Sequence, residues 1–472
     1  MDNRDRLLPL RKEEIELVHH KSLEVMDKTG MWFQSSRARE IFQKHGVRVE
    51  GEFVYFTEDQ IQDALKTVPP KFTLLARNSA RNMPVGEGYF AFGPSGGSPF
   101  ILDYDGTMRV STSEDYENSL KLTQMLDCVD FNRELVASGG DIAADNILLY
   151  ELFASIKMTD KPLDCTLAEG VGLLAILFGI SKEKMKDTGQ GIAYAIGTAN
   201  PLSPLGMSAH ESDTLIDICR YNVAVAISPM PMAGMTAPST LPGLLITQNC
   251  EILGALVLSQ LVNPGCPVLY GCIGTITNMR NACAPIGAPE ARLIEYASAQ
   301  LASWYGVPAR GDVGLSDANC LDFQAGAESA FHFVNAVRNG LHLLPGLGAM
   351  GSWNIGSLEK MVLDAELAAY TKRLLRPLEF SEENMAVSLI KKVGPRGSFI
   401  AEEHTFHHFR REFYDSVLFS RIPYENWEQQ GKKDVLDNAH KKVREMLNDY
   451  QPPDLEGSLE KDLEKYTDTH YV

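Results

Sequence analysis

The segment from Pro267 to Trp353 reads PVLYGCIGTITNMR (267–280), then PARGDVGLSDANCLDFQAGAESAF (308–331), and closes on LHLLPGLGAMGSW (341–353). Three times an apolar run of strand length gives way to Gly, Ser, Thr, Asn or Asp. Twice the polar patch leads into a helix-like segment, and the third time into a Gly-rich loop. This alternation is the rhythm of a parallel sheet with helical crossovers. Each polar patch then falls at a strand's carboxyl end, where α/β barrels build their binding sites.

The same rhythm begins near residue 130. FNRELVASGGD (131–141) reads as a strand, NILLYELFASIKM (146–158) as an apolar helix, and PLDCTLAEG (162–170) as a second strand. A third, GIAYAIGTANPLSPL (191–205), carries Gly197, Thr198, Asn200 and Ser203 at its end. A fourth, NVAVAISPMPMAGMTAP (222–238), ends in Ser228, Pro229, Met230, Pro231 and Met232. With three from the opening segment there are seven, and an eighth is sought near residues 376–400 or in something less regular. The spacing predicts a (β/α)8 barrel. A doubly wound open sheet competes, but no GxGxxG follows the first strand.

Outside that core the chemistry changes. KEEIELVHHKSLEVMDKTG (12–30) places Ile15, Val18, Leu23 and Met26 on one helical face, and Gly30 closes it. Residues 72–111 mix aromatic and β-branched residues with Gly pairs, and Asp105-Gly106 is a hairpin signal, so an antiparallel segment before or over the barrel is expected. Residues 111–115, STSED, have a hydroxyl cap followed by acids and predict a helix start. The expected division is residues 1–125 as helical and hairpin decoration, 126–400 as the barrel, and 401–472 as a C-terminal helical tail on the barrel or a partner subunit. The last residues, GSLEKDLEKYTDTHYV (457–472), are polar and read as frayed or packed on a neighbouring chain.

The 472 residues carry a formal charge of −18 and no basic stripe, which argues against nucleic acid. MDNRDRLLPLRKEE at the start is charged and lacks the apolar core of a signal peptide. No uninterrupted apolar run reaches membrane-spanning length, so no membrane is expected. The eight cysteines are scattered without a CxxC, and read as reduced thiols of a cytoplasmic protein.

Motifs for chemistry are sparse. GPSGGS (93–98) has no following Lys-Ser/Thr, so it is no phosphate loop. His404, His407 and His408 cluster in HTFHH but lack the HExxH pattern, and packing or partner contact is the expected role. No GxSxG occurs; Cys272 or Cys320 as a nucleophile competes with an inert thiol. Tyr89, Phe90, Phe92, Tyr270 and Trp353, with His342, gather aromatic character near predicted strand ends and the hairpin. Aromatic faces hold quaternary ammonium groups, although such residues also serve as ordinary core.

Several strings then resemble one family in order. They are FILDYDGTMRVSTSEDYENSLKL (100–122), MTDKPL (158–163), SPLGMSAHESDTLIDICRYNVAVAISPMPMAGMTAPSTLPG (203–243), NPGCPVLYG (263–271), DANCLDFQAGAES (317–329) and EEHTFHHFRREFYDSVLFSR (402–421). Collinear over residues 20–450, they resemble the trimethylamine methyltransferase superfamily, including its glycine betaine-type members. The resemblance implies a (β/α)8 barrel that moves a methyl group from a quaternary amine, such as glycine betaine or proline betaine, to Co(I) of a corrinoid carried by a separate protein. Founding members carry a pyrrolysine; this chain has only standard residues, and the loop GLSDAN (314–319) is the region where the equivalent position is sought. No bound metal is expected, and the mix of Arg with Phe and Tyr in the tail predicts a homo-oligomer.

Such a site needs orientation and exclusion of water more than acid–base groups. The expected substrate pocket is lined by Phe92, Tyr270, Asp312, Gln324, His342, Met350 and Trp353, with aromatics on the ammonium and His342 or Gln324 on a carboxylate. Asp312 balances the cation's charge or holds its loop. Two other readings compete: a metal-dependent lyase or hydrolase using HTFHH, and a non-catalytic betaine-binding scaffold for a corrinoid protein.

Overall fold

A computed structural model describes residues 7–187, 189 and 191–471. At its centre lies a six-stranded parallel sheet of β1 (Ala91–Pro94), β2 (Ile196–Ala199), β3 (Ala224–Ile227), β4 (Val268–Gly271), β5 (Ala309–Arg310) and β6 (Leu343–Leu347). The order is β2-β3-β4-β5-β6-β1, curled as half a barrel. Backbone bonds continue past its edges. Asp130 N donates to Phe92 O (2.7 Å), Asn132 N to Pro162 O (2.8 Å), and Cys165 N to Ile196 O (2.7 Å).

Strand β1 lies inside the stretch expected to be hairpin decoration. It joins the sheet because AFGP is wholly buried and pairs in parallel with β6, Leu344 opposite Phe92. Residues 376–400, where an eighth strand was sought, hold the short helices Glu382–Met385 and Val387–Val393 instead.

Both faces of the sheet are buried, and the strand period of two sorts its side chains. Ala91, Ile196, Ala224, Ala226, Leu269 and Leu343 form a separate cluster on one face. Their neighbours Phe92, Val225, Ile227, Val268, Tyr270 and Leu344 join the large core beneath the helices. That core includes the helix Leu241–Val262, whose most apolar 18-residue window is 78% buried in protein. It is packed by the helices Lys12–Lys28, Ser36–Lys44, Glu58–Thr67, Ala209–Cys219 and Pro289–Tyr305. A helix that is mostly apolar around its circumference suits such extensive burial.

The expected hairpin forms at Asp105-Gly106, pairing Phe100–Leu102 with Met108–Val110. Thr112 caps the helix Ser113–Met125 and shares a capping box with Asp115, worth about 1 kcal/mol. Most of the terminal stretch 457–472 is ordered: helix Gly457–His470 buries Leu463 and lies on Gly170–Leu177 and Ile147–Met158.

Candidate active site

The carboxyl ends of the central strands surround a cavity of ≈ 450 Å³. Thr198 lies one residue before the end of β2, Ser228 follows β3, Ile273 follows β4, Arg310 ends β5, and Trp353 follows β6; all five line it. Arg133 and Gly96 complete the floor, and Met230, Met232 and Leu202 the apolar wall. Register decides this list. Arg310 is opposite Leu343 and next to Gly271, so it shares the inner face with Leu343 and Leu269.

Arg310 is 3% exposed and forms a two-point ion pair with Asp312, Nη1–Oδ2 3.1 Å and Nη2–Oδ1 2.9 Å. Burial pushes the Asp312 carboxyl up to about 6, against the pull of Arg310. The Asp312 amide donates to Glu295 Oε1 (2.8 Å), while Glu295 Oε2 meets His332 Nε2 (2.7 Å) and Arg292 Nη1 (2.9 Å). Burial, with the Arg292 charge, holds His332 down to about 4, so the imidazole is neutral at pH 7. Behind Arg133, burial raises Glu134 to about 8, and the nearby Asp164 carboxylate adds to that rise. Burial raises Asp164 too.

Trp353 is held by a strained turn. Ser352 (φ 53°) and Trp353 (φ 72°) lie in the left-handed region, which costs roughly 1–2 kcal/mol per residue for a side chain with a Cβ. The turn is fastened on several sides: Ser352 Oγ donates to Asp317 Oδ1 (2.7 Å), Gly351 N to Ala318 O (2.9 Å), and Ser98 Oγ to Trp353 O (2.9 Å). The GLSDAN loop is thus a clamp beside the cavity. Asp317 also accepts from Ile286 N (2.8 Å) and Gly287 N (2.9 Å).

Of the seven residues expected to line one pocket, Trp353 lines the cavity and Asp312 adjoins it through Arg310. The other five lie elsewhere. Tyr270 and Phe92 face outward on their strands. Tyr270 donates to Asn249 Oδ1 (2.8 Å) on the central helix, and Phe92 packs on Phe333 with ring centroids 5.5 Å apart. His342 precedes β6 and therefore sits at the amino end of the sheet, beside a different cavity of ≈ 820 Å³ with Phe90 and Trp304. Its Nδ1 accepts from Ala309 N (3.0 Å), and burial lowers its affinity for a proton. Gln324 is exposed on the helix Phe323–Arg338 and donates to Glu328 Oε1 (2.9 Å). Met350 is buried with Leu102 and Ile355 under the hairpin.

Sequence reasoning marked Thr198, Ser228, Met230 and Met232 as strand ends without giving them a role, and it missed Arg133 and Arg310. A charged residue inside an otherwise apolar strand reading, as in VPARGD, was the available signal. Tyr89, also singled out with the aromatics, is exposed beside the amino-end cavity. The HTFHH histidines lie on helix Glu403–Glu412, where His404 stacks on His408 (4.2 Å) and His408 Nε2 is 3.2 Å from Glu383. Among the described residues no group of three or more His, Cys, Asp or Glu is arranged to hold a metal ion. Burial holds the Cys272 thiol well above its usual range, so it is no ready nucleophile; Cys320 is exposed and bonded to Asp322 (3.5 Å).

A parallel α/β sheet whose strand ends open on a small, mixed apolar and cationic cleft defines a small-molecule enzyme class. Comparison with known proteins narrows it: residues 2–471 match the family model described as Trimethylamine methyltransferase (MTTB). The chain belongs to that family. It is 34% identical over 467 residues to the Glycine betaine methyltransferase of Desulfitobacterium hafniense (strain Y51), covering 97% of this chain and 96% of the relative. It is 32% identical over 479 residues to the Proline betaine:corrinoid methyltransferase of Eubacterium limosum, covering 96% of each. It is 31% identical over 457 residues to the L-carnitine:corrinoid methyltransferase of Eubacterium limosum, covering 94% of this chain and 93% of that one.

Proposed function

We propose that the chain is a quaternary amine:corrinoid protein methyltransferase. The observation that carries this reading is the wall of Met230, Met232, Ile273, Leu202 and Trp353 at the strand ends. Thioether and indole surfaces stabilise a methylated cation without offering it a proton. Such a substrate needs none. The C–N bond breaks with its electron pair going to nitrogen, which leaves as a neutral tertiary amine. The methyl group is taken by the electron pair of Co(I), supplied by a separate corrinoid protein as the methyl acceptor. The chain's own task is to orient one N-methyl toward the cavity mouth and to exclude water. Relatives named for glycine betaine, proline betaine and carnitine point the same way.

Three further features belong to this reading. The backbone bonds through residues 130–132 and 162–165 support closure of the sheet into a (β/α)8 barrel with two added strands. The barrel then runs from β1 at residue 91 rather than from residue 126, with the N-terminal helices and the C-terminal tail packed around it. Phe380, Ile400, Phe406 and Phe413 are exposed on the segment after residue 375, which supports a homo-oligomer.

Incubation of the protein with reduced cobalamin and a panel of quaternary amines tests the reading. Growth of the methylcobalamin absorbance with one member of the panel is expected. Absence of methylation with every member, by protein that is folded, would reject it.

A further inference from the structure

We infer that Arg133, Arg310 and Ser228 form an anion subsite on the floor of the cleft, which selects quaternary amines bearing a carboxylate over those without one. The inference rests on the methyltransferase reading for the ammonium half of the ligand, and on the cleft itself for the anionic half.

The donors are built in and unspent. Both terminal nitrogens of Arg310 are committed to Asp312, yet its buried Nε–H has no acceptor among the described residues. Ser228 is 1% exposed and its Oγ has no partner there either. The Nε of Arg133 is the third such donor. Among the described residues its Nη2 reaches only Thr198 Oγ1, at 3.4 Å. All three residues line the same cavity. A buried donor left without an acceptor costs roughly 1–3 kcal/mol, and folded proteins keep few of them. Three around one space mark the place of a group that only accepts. A carboxylate does so with two oxygens and about four lone-pair sites.

Charge agrees with geometry. Asp312 offsets one guanidinium. Asp164 and Glu134 approach Arg133 Nε only to 3.7 and 3.9 Å, too far for a hydrogen bond. Burial also raises the proton affinity of both carboxyls, which lowers their power to neutralise Arg133. The floor therefore keeps positive charge for a ligand. Gly96 leaves the guanidinium its room: a Cβ there would come within 2.9 Å of Arg133 Nη2. Met230 and Trp353 line the same cavity, which therefore offers a zwitterion cationic donors for its carboxylate and apolar surface for its ammonium.

The test is calorimetric titration of the full chain with glycine betaine and with tetramethylammonium. Three variants are compared with the parent: Arg310→Lys, which keeps a cation beside Asp312 but removes Nε–H, Arg133→Met and Ser228→Ala. Removing a charged hydrogen bond should weaken glycine betaine about tenfold or more in either arginine variant. Tetramethylammonium, which lacks an anion, should bind them no more weakly than it binds the parent. Ser228→Ala is the mildest change and shows the same selectivity if an arginine variant fails to fold. Equal losses for both ligands, or parent protein that prefers tetramethylammonium, overturn the subsite. Methylation of Co(I) cobalamin separates the two ideas. Turnover of tetramethylammonium but no carboxylated amine defeats the subsite and leaves the methyltransferase. Arginine-dependent betaine binding without any turnover does the reverse.

Discussion

Arg310 and Asp312, two residues apart, meet side by side with two hydrogen bonds of 3.1 and 2.9 Å, each side chain no more than 4% exposed. The pair occupies both terminal nitrogens of the guanidinium and leaves its Nε without an acceptor among the described residues.

Burial of Asp312, only partly offset by Arg310, makes stability depend on pH. In the folded state Asp312 titrates near 6, above the usual 3.8. An acid with a raised folded pKa binds more protons folded than unfolded, so its contribution is favourable below 3.8 and is lost as pH rises through 6. Urea denaturation at pH 4.5 and 7.5 should show this loss, of order 1–3 kcal/mol, as the difference between parent and Asp312→Asn. Glu134, Glu151 and Glu251 are shifted the same way, so the comparison with the variant, not the raw curve, is the measurement. Parallel pH profiles for the two proteins would contradict the assignment.

Trp353→Ala should weaken a betaine about five- to thirtyfold, the equivalent of roughly 1–2 kcal/mol for one aromatic face on a desolvated cation. An uncharged isostere of the betaine should be little affected. Titration of both ligands against the same variant is the check. A Trp353→Ala protein that binds the betaine normally removes the indole from the site.

Tyr270→Phe should behave oppositely. Tyr270 is fully buried, and its hydroxyl donates to Asn249, whose amide reaches Ser22 Oγ (2.9 Å) and Tyr305 Oη (3.0 Å). Loss of the hydroxyl should cost about 1 kcal/mol of stability, seen as a lower urea midpoint. The rate and KM for methyl transfer should stay as in the parent. A changed KM with unchanged stability would return Tyr270 to the pocket.

Gly346→Ala should strongly destabilise the fold. Gly346 has φ 132°, and a Cβ there would collide with Val313 O in the neighbouring backbone. Neither atom belongs to a flexible side chain, so strand β6 must shift, at a cost of about 3 kcal/mol or more. Soluble yield and the thermal transition report it; a variant as stable as the parent would show the strand to be more pliant than this contact allows.

Sequence alone determined a good deal. Alternating apolar runs and helical segments predicted parallel strands with crossovers, because helix and strand differ in the period of their buried residues. Local chemistry placed the Asp105-Gly106 hairpin and the Thr112–Asp115 cap, since both are made within a few residues. It also marked Thr198, Ser228, Met230 and Met232 as strand ends. Collinear motifs pointed to the family to which the chain belongs.

Tertiary structure decided which of those residues look into the cleft. In strands buried on both sides, odd and even positions are equally apolar, so no local pattern says which one faces inward. That parity is set by pairing between strands distant in sequence: Tyr270 beside Ala309 turns outward, and Arg310 beside Leu343 turns in. The same non-local pairing drew Ala91–Pro94 into the sheet and left His342 at its amino end. Arg133 and Arg310 are 177 positions apart in sequence and line one cavity because the curled sheet brings the end of β5 to the irregular segment that holds Arg133.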